Sequence, residues 1–178
     1  MGNRAGLTNK VVRLGTEGDG MIVEEGSQIG DIAERLIRKG MRLPLIHSMT
    51  GVCLSRLRKL HQEINGNSAP PGRTPKYAHA LIKNREQALE AAKFISFYHI
   101  SNYGNGTGGC GVMNPEVLLE SFILYAETTK TPLNINRAWL IIRDLENGQL
   151  RSRRCNKCGI IYLHTHENEA LQACPMCA

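Results

Sequence analysis

Cys155-Asn156-Lys157-Cys158 and, fifteen residues further on, Cys174-Pro175-Met176-Cys177 form the stretch from which the rest of the chain can be read. Each pair is spaced so that one tight turn brings both sulfurs to the same side, and two such pairs supply the four soft ligands of a tetrahedral zinc. A segment of this size buries too little apolar surface to hold itself folded, so a metal tying its two ends together supplies the missing free energy. With all four positions filled by protein, none is left for water or substrate, which is the pattern of a structural site. The expectation is therefore one zinc per chain, with iron in the same sulfur cage as the alternative. Disulfides would need an oxidising compartment, and no apolar leader with a small-residue cleavage site is present, so a reduced, cytoplasmic chain is expected. His164 and His166 lie between the pairs and could replace a thiolate. At alternating positions of an extended hairpin they read instead as surface residues.

Outward from the cysteines, Arg151, Arg153, Arg154 and Lys157 crowd the first pair, where part of their charge offsets the thiolates. A second basic region gathers Arg35, Arg38, Lys39, Arg42, Arg56, Arg58 and Lys59. Lys and Arg outnumber Asp and Glu by 22 to 16, a formal net charge of +6, and the excess suggests a polyanionic partner. No apolar run approaches membrane-spanning length, so no membrane partner is expected.

A chain of 178 residues accommodates one ordinary core plus a small satellite. The reading is a mainly α fold in four parts. Residues 1–28, rich in Gly and charge, form a flexible arm. Residues 29–68 form a helix-turn-helix region, 69–148 a helical core and partner-binding region, and 149–178 a zinc-ribbon-like hairpin. Ile32, Ala33, Leu36 and Ile37 recur at helix spacing up to Gly40. Pro70 and Pro71 end the helical pattern in a linker. Asn84, Asn114 and Asn134 then open three helices, the second with Pro115 in its first position. Their apolar sets are Ala88, Leu89, Ala92, Ile95 and Tyr98; Val117, Leu118, Phe122, Tyr125 and Ala126; and Ile135, Ala138, Trp139, Ile142 and Leu145. Trp139 reads as the central packing residue. Phe94 and Phe97, and Leu119 and Ile123, add apolar surface on further faces, which a helical partner would cover. The formal G-x-G-x-x-G from Gly104 follows a helix and lacks any strand before it, so it is a surface loop with Cys110 as an unpaired thiol, and not a dinucleotide site.

Leu43 to Leu60 fits a helix-turn-helix. Gly51 stands where the turn needs positive φ, and Ile46, Val52, Leu57 and Leu60 fall where the two helices pack. The exposed positions of the second helix are Ser55, Arg56, Arg58, Lys59 and Gln62, side chains able to reach phosphates and base edges from the major groove. Arg151, Arg153 and Arg154 would add phosphate contacts without reading bases. His47 departs from the pattern, since the crossing usually takes a small residue. A three-helix packing unit with no nucleic-acid role remains open at this point.

The run Arg137-Ala138-Trp139 through Arg143, Glu146, Gly148 and Leu150, leading into Cys-x-x-Cys and His164-Thr165-His166, resembles the FlhC family, subunits of the bacterial flagellar master transcriptional activator. The likeness extends over roughly Ile29 to Cys177, with Gly40–Leu60 matching the family's helix-turn-helix region. It implies a zinc site at Cys155, Cys158, Cys174 and Cys177, and a hetero-oligomer with a small helical FlhD-like subunit that binds double-stranded DNA and engages RNA polymerase. It also implies no catalysis. Relatives on conjugative elements activate transfer genes, and three departures from the flagellar pattern point towards them: the end at Ala178, the Gly-rich loop and the longer arm. Two other functions compete with the activator. A nuclease carrying a zinc ribbon would need clustered carboxylates, which are scattered here, and a zinc-stapled adaptor would bind protein alone.

Overall fold

The computed structural model describes residues 28–72, 75–104 and 113–177. The expected arm up to residue 27, and the glycine-rich loop with Cys110, lie outside them. Helix α1 (Gln28–Arg38) buries Ile32, Ala33, Leu36 and Ile37, and Gly40 stops it with φ +77°, a conformation that glycine adopts without a Cβ penalty. Helices α2 (Leu43–Thr50) and α3 (Leu54–Asn65) follow, joined by Gly51-Val52-Cys53, and α1 packs on both. Gly51 takes φ +71° and its N–H caps His47 O.

The crossing of α2 and α3 is filled by Ile46, Thr50, Val52 and Leu57, all buried, with Leu60 packed at its margin. His47 is not part of it. Its ring lies outside, where Nδ1–H donates to Val52 O at 2.8 Å, while Thr50 Oγ1 donates to Ile46 O at 2.7 Å. The histidine that departs from the usual pattern thus fastens the turn and crowds nothing.

Helices α4 (Arg85–Gly104), α5 (Pro115–Thr128) and α6 (Ile135–Glu146) pack mutually, and each begins as the sequence suggests. Asn84, Asn114 and Asn134 accept through Oδ1 from the N–H of Gln87, Glu116 and Arg137. Helix α4 is central. It lies against α5 along one side and against strand β2 along another. That double burial explains why Ala88, Ala91, Ala92, Phe94, Ile95 and Tyr98 are all buried although they exceed one stripe. The apolar surplus expected to await a partner is therefore partly consumed within the chain. Phe94 and Leu119 are fully buried, Phe97 and Ile123 half-buried, and Ile100 and Leu124 stay exposed. Trp139 belongs to the buried core, with the Arg143 guanidinium 5.1 Å from its ring centre, and Tyr125 and Phe94, fully buried, are in edge contact at 5.7 Å.

Strands β1 (Arg151–Arg154) and β2 (Ile161–His164) pair antiparallel, Arg151 opposite His164 and Arg154 opposite Ile161. Leu150, Leu163 and Leu171 join the same apolar cluster as the helices. Burial of each contributes roughly 1.5–3 kcal/mol, so the hairpin borrows the core it is too small to build.

Polar side chains tie these parts together. Asn136 of α6 accepts from Arg42 N at 2.9 Å and donates to Gly40 O at 3.0 Å, holding the α1–α2 corner. Asp144, buried, accepts from Ala78 N at 2.6 Å and from the Arg143 guanidinium. Replacing Asn136 with Ala leaves both backbone groups without their partner and is expected to cost about 1–3 kcal/mol, to be read from the denaturant midpoint of the full chain. A midpoint unchanged from the parent would show that the corner holds itself. No helix among the described residues is long and apolar enough to cross a membrane.

Candidate metal centre and nucleic-acid interface

The first cysteine pair sits on a knuckle that the backbone closes by itself. Cys155 N donates to Ile160 O and Gly159 N to Cys155 O, both at 2.9 Å, with Gly159 at φ +76° allowing the reversal. Lys157 N then points at Cys155 Sγ, 3.4 Å away. The second pair closes through Cys177 N to Cys174 O at 3.1 Å. Strand pairing and the turn near Leu171 bring the two knuckles together.

All four sulfurs lie within 4.8 Å of one another. Cys155 and Cys177 Sγ are 3.9 Å apart, and Cys158 and Cys174 Sγ 3.6 Å. A tetrahedron with metal–sulfur bonds of about 2.3 Å has an edge near 3.8 Å, which these separations bracket, whereas a disulfide requires about 2.05 Å. The thiols' own chemistry agrees. The N–H groups of Cys158 and Lys157 bring the Cys155 thiol down to about 6, while contact with the Cys158 sulfur pushes Cys177 up to about 12. One thiolate forms readily and the last resists, so a cation is needed to hold four together. These four cysteines can hold a metal ion. Neither histidine is required for it.

His164 is buried, against the expectation of a surface ring, because Arg151, Arg153, Tyr162 and His164 share one face of the ribbon and the His166 ring lies across it at 4.9 Å. His166 is exposed as expected. Burial first, then the charges of Arg153, His166 and Arg151, hold His164 below its ordinary value of 6.5. The folded chain thus binds this proton less readily than the unfolded chain. Its contribution to stability is complete above about 6.5 and is lost as pH falls below it. The melting temperature should drop between pH 7.5 and 5.5, and the His164→Gln chain should drop less. Equal drops would assign the effect to other groups.

The four residues of β1 are all exposed, so Arg151, Arg153 and Arg154 reach solvent beside the metal knuckle. On α3, Ser55, Arg58, Lys59 and Gln62 are exposed and Arg56 half-exposed. Positions 55, 58, 59 and 62 repeat at i, i+3, i+4 and i+7, which is one face of a helix. Lys59 is 3.9 Å from Glu63, with both side chains more than half exposed. Such a pair is worth little and leaves the ammonium available to a phosphate. Arg58 and Gln62 also border a cleft of about 540 Å³ between α3, the α1–α2 corner and the linker at Ser68–Gly72, where Arg42 Nη1 donates to Gly72 O.

Sequence reasoning passed over Arg85, Asn136, Asp144 and Asn168. Each acts on backbone groups far away in sequence, and no periodicity marks such a residue.

Comparison with known proteins shows the family. The family profile described as flagellar transcriptional activator (FlhC) matches residues 19–178. Similar proteins include the flagellar transcriptional regulator FlhC of Nitrosomonas eutropha, 29% identical over 163 residues, covering 88% of this chain and 81% of the relative. Those of Proteus mirabilis, at the same identity and coverage, and of Paraburkholderia atlantica, 29% identical over 88% of this chain and 72% of the relative, are others. The chain belongs to the FlhC family of flagellar transcriptional activators, which are regulators and not enzymes.

Proposed function

We propose that this chain is the DNA-binding subunit of a hetero-oligomeric transcriptional activator, holding one zinc through Cys155, Cys158, Cys174 and Cys177. In this reading residues 29–68 contact double-stranded DNA, 69–148 form the core that receives an FlhD-like helical subunit, and 149–178 carry the metal. The assembly recruits RNA polymerase, in the cytoplasm, to promoters of flagellar or conjugative-transfer genes. The observation that carries the reading is the exposed face of α3, where Ser55, Arg58, Lys59 and Gln62 project from the second of the two helices joined at Gly51, while Val52 and Leu57 are buried beneath them. Arg56 beside them and Arg151, Arg153 and Arg154 on the ribbon supply further positive charge. Zinc suits four thiolates with no open position better than a metal that prefers oxygen. Ile100 and Leu124, exposed on α4 and α5, are the apolar side chains that a helical subunit would cover.

The test is co-expression with the small helical gene product, followed by sizing and by transcription from a linked promoter with purified polymerase. A stable complex that raises transcript yield is expected. A chain that stays monomeric beside every candidate subunit and leaves transcription unchanged would refute the assignment.

A further inference from the structure

Between the metal centre and the helical core lies a cradle of polar contacts that the activator reading does not use. Arg85, first residue of α4, donates through Nε to Pro175 O at 2.7 Å and through Nη2 to Met176 O at 3.3 Å. Pro175 and Met176 are the two residues between Cys174 and Cys177. From the hairpin side, Asn168 Nδ2 donates to His79 O at 2.6 Å and to Ile82 O at 2.7 Å, while its Oδ1 accepts from Ala170 N at 2.9 Å and caps the short 3-10 turn Glu169–Leu171. Glu167 approaches His79 at 3.3 Å. The segment 79–85 is itself anchored, through Ala78 N, on the buried carboxylate of Asp144.

We propose that Arg85 is a positioning residue for the metal centre, acting with Asn168 to seat the second cysteine knuckle on the helical core so that metal retention depends on that core. The inference rests on the metal reading above. A peptide unit is planar, with its C=O and N–H pointing in opposite directions. Pinning the carbonyls of Pro175 and Met176 therefore also fixes the N–H groups of Met176 and Cys177. These occupy the positions of Lys157 and Cys158 in the first knuckle, whose N–H groups are turned on the Cys155 sulfur. The first knuckle is oriented by its own turn and strand pairing. The second has its Cys177-to-Cys174 backbone bond and, beyond that, the guanidinium. A fixed positive charge at this place also offsets the surplus negative charge of four thiolates around a divalent ion.

The experiment uses the full chain loaded with zinc and, separately, with cobalt(II), in the parent and in Arg85→Gln, Arg85→Lys and Asn168→Ala. Zinc affinity is read by competition with a chromogenic chelator, and the ligand set by the visible bands of cobalt. Arg85→Gln should weaken zinc by about 10–100-fold, the usual effect of losing a partner outside the ligand shell, while the cobalt bands still report four sulfurs. Arg85→Lys, which keeps one cationic donor, should recover part of the loss. Melting temperature should fall more in the metal-loaded than in the stripped Arg85→Gln chain, because the contact favours the metal-bound shape. Asn168→Ala reads the same cradle from the other side should Arg85→Gln fold poorly. Parent-like zinc affinity in Arg85→Gln and Asn168→Ala, or equal melting losses with and without metal, would overturn the inference alone. A parent chain that takes up neither zinc nor cobalt would overturn the metal reading itself.

Discussion

A Cys174→Ser chain is expected to lose its metal and the order of the segment from residue 149 onward. Cys174 is the most buried of the four cysteines, and its sulfur stands 3.6 Å from that of Cys158. Serine supplies a hard, protonated oxygen on a shorter bond, a poor substitute for a thiolate at a soft metal. Zinc affinity should fall by more than the roughly 100-fold that loss of an outer partner costs. The consequence reaches further than the hairpin. Leu150, Leu163 and Leu171 belong to the common apolar cluster, so undocking the ribbon bares one side of α4 and should lower the solubility of the whole chain. Elemental analysis together with limited proteolysis checks this. One zinc per parent chain, none in the variant, and rapid cleavage after residue 149 in the variant alone is the expected pattern. A metal-free parent whose tail resists protease would contradict it.

The second large effect concerns α3. Replacing Arg56, Arg58 and Lys59 together with Ala should weaken promoter binding by at least ~100-fold, since base-reading arginines cost about 1–3 kcal/mol each and phosphate-binding cations add to the loss. The single variants divide by mechanism. Removing a side chain that binds phosphate lowers affinity for every duplex and reduces the salt slope by about 0.9. Removing one that reads a base relaxes preference at a single position of the site. Arg151, Arg153 and Arg154, exposed on a strand and not on a helix, should all behave in the first way. Buried Leu57 and Val52, with the Gly51 turn, are untouched by these changes, so helical content should not move. A triple variant that assembles and binds its promoter unchanged would place DNA contact elsewhere.

How much of this is legible in the sequence follows from the range over which each signal acts. Cysteine spacing, the three Asn caps and Gly51 are local features, and each stands in the structure where the residues suggest. The apolar excess of α4 reads as surface awaiting a partner, because a linear pattern cannot reveal that the distant C-terminal hairpin packs on the same helix. His164 reads as a surface ring for a related reason. Alternation along a strand gives two faces, but not which neighbours cover them, and here Arg151 and Arg153 and the His166 ring do so. Asp144, Asn136 and Arg85 look like ordinary polar helix residues. Their partners, Ala78 N, Gly40 O with Arg42 N, and Pro175 O, are backbone groups 66 to 96 residues distant, which leave no trace in composition.

Direct titration of a fluorescent promoter duplex with the metal-loaded chain and the proposed FlhD-like subunit, over a series of salt concentrations, tests the central claim that this chain binds DNA. The logarithm of affinity should fall linearly with the logarithm of salt concentration, and the promoter should be preferred over an unrelated duplex by roughly 10³-fold or more. Absence of binding even at low salt, with the subunit complex intact and the metal in place, would contradict it.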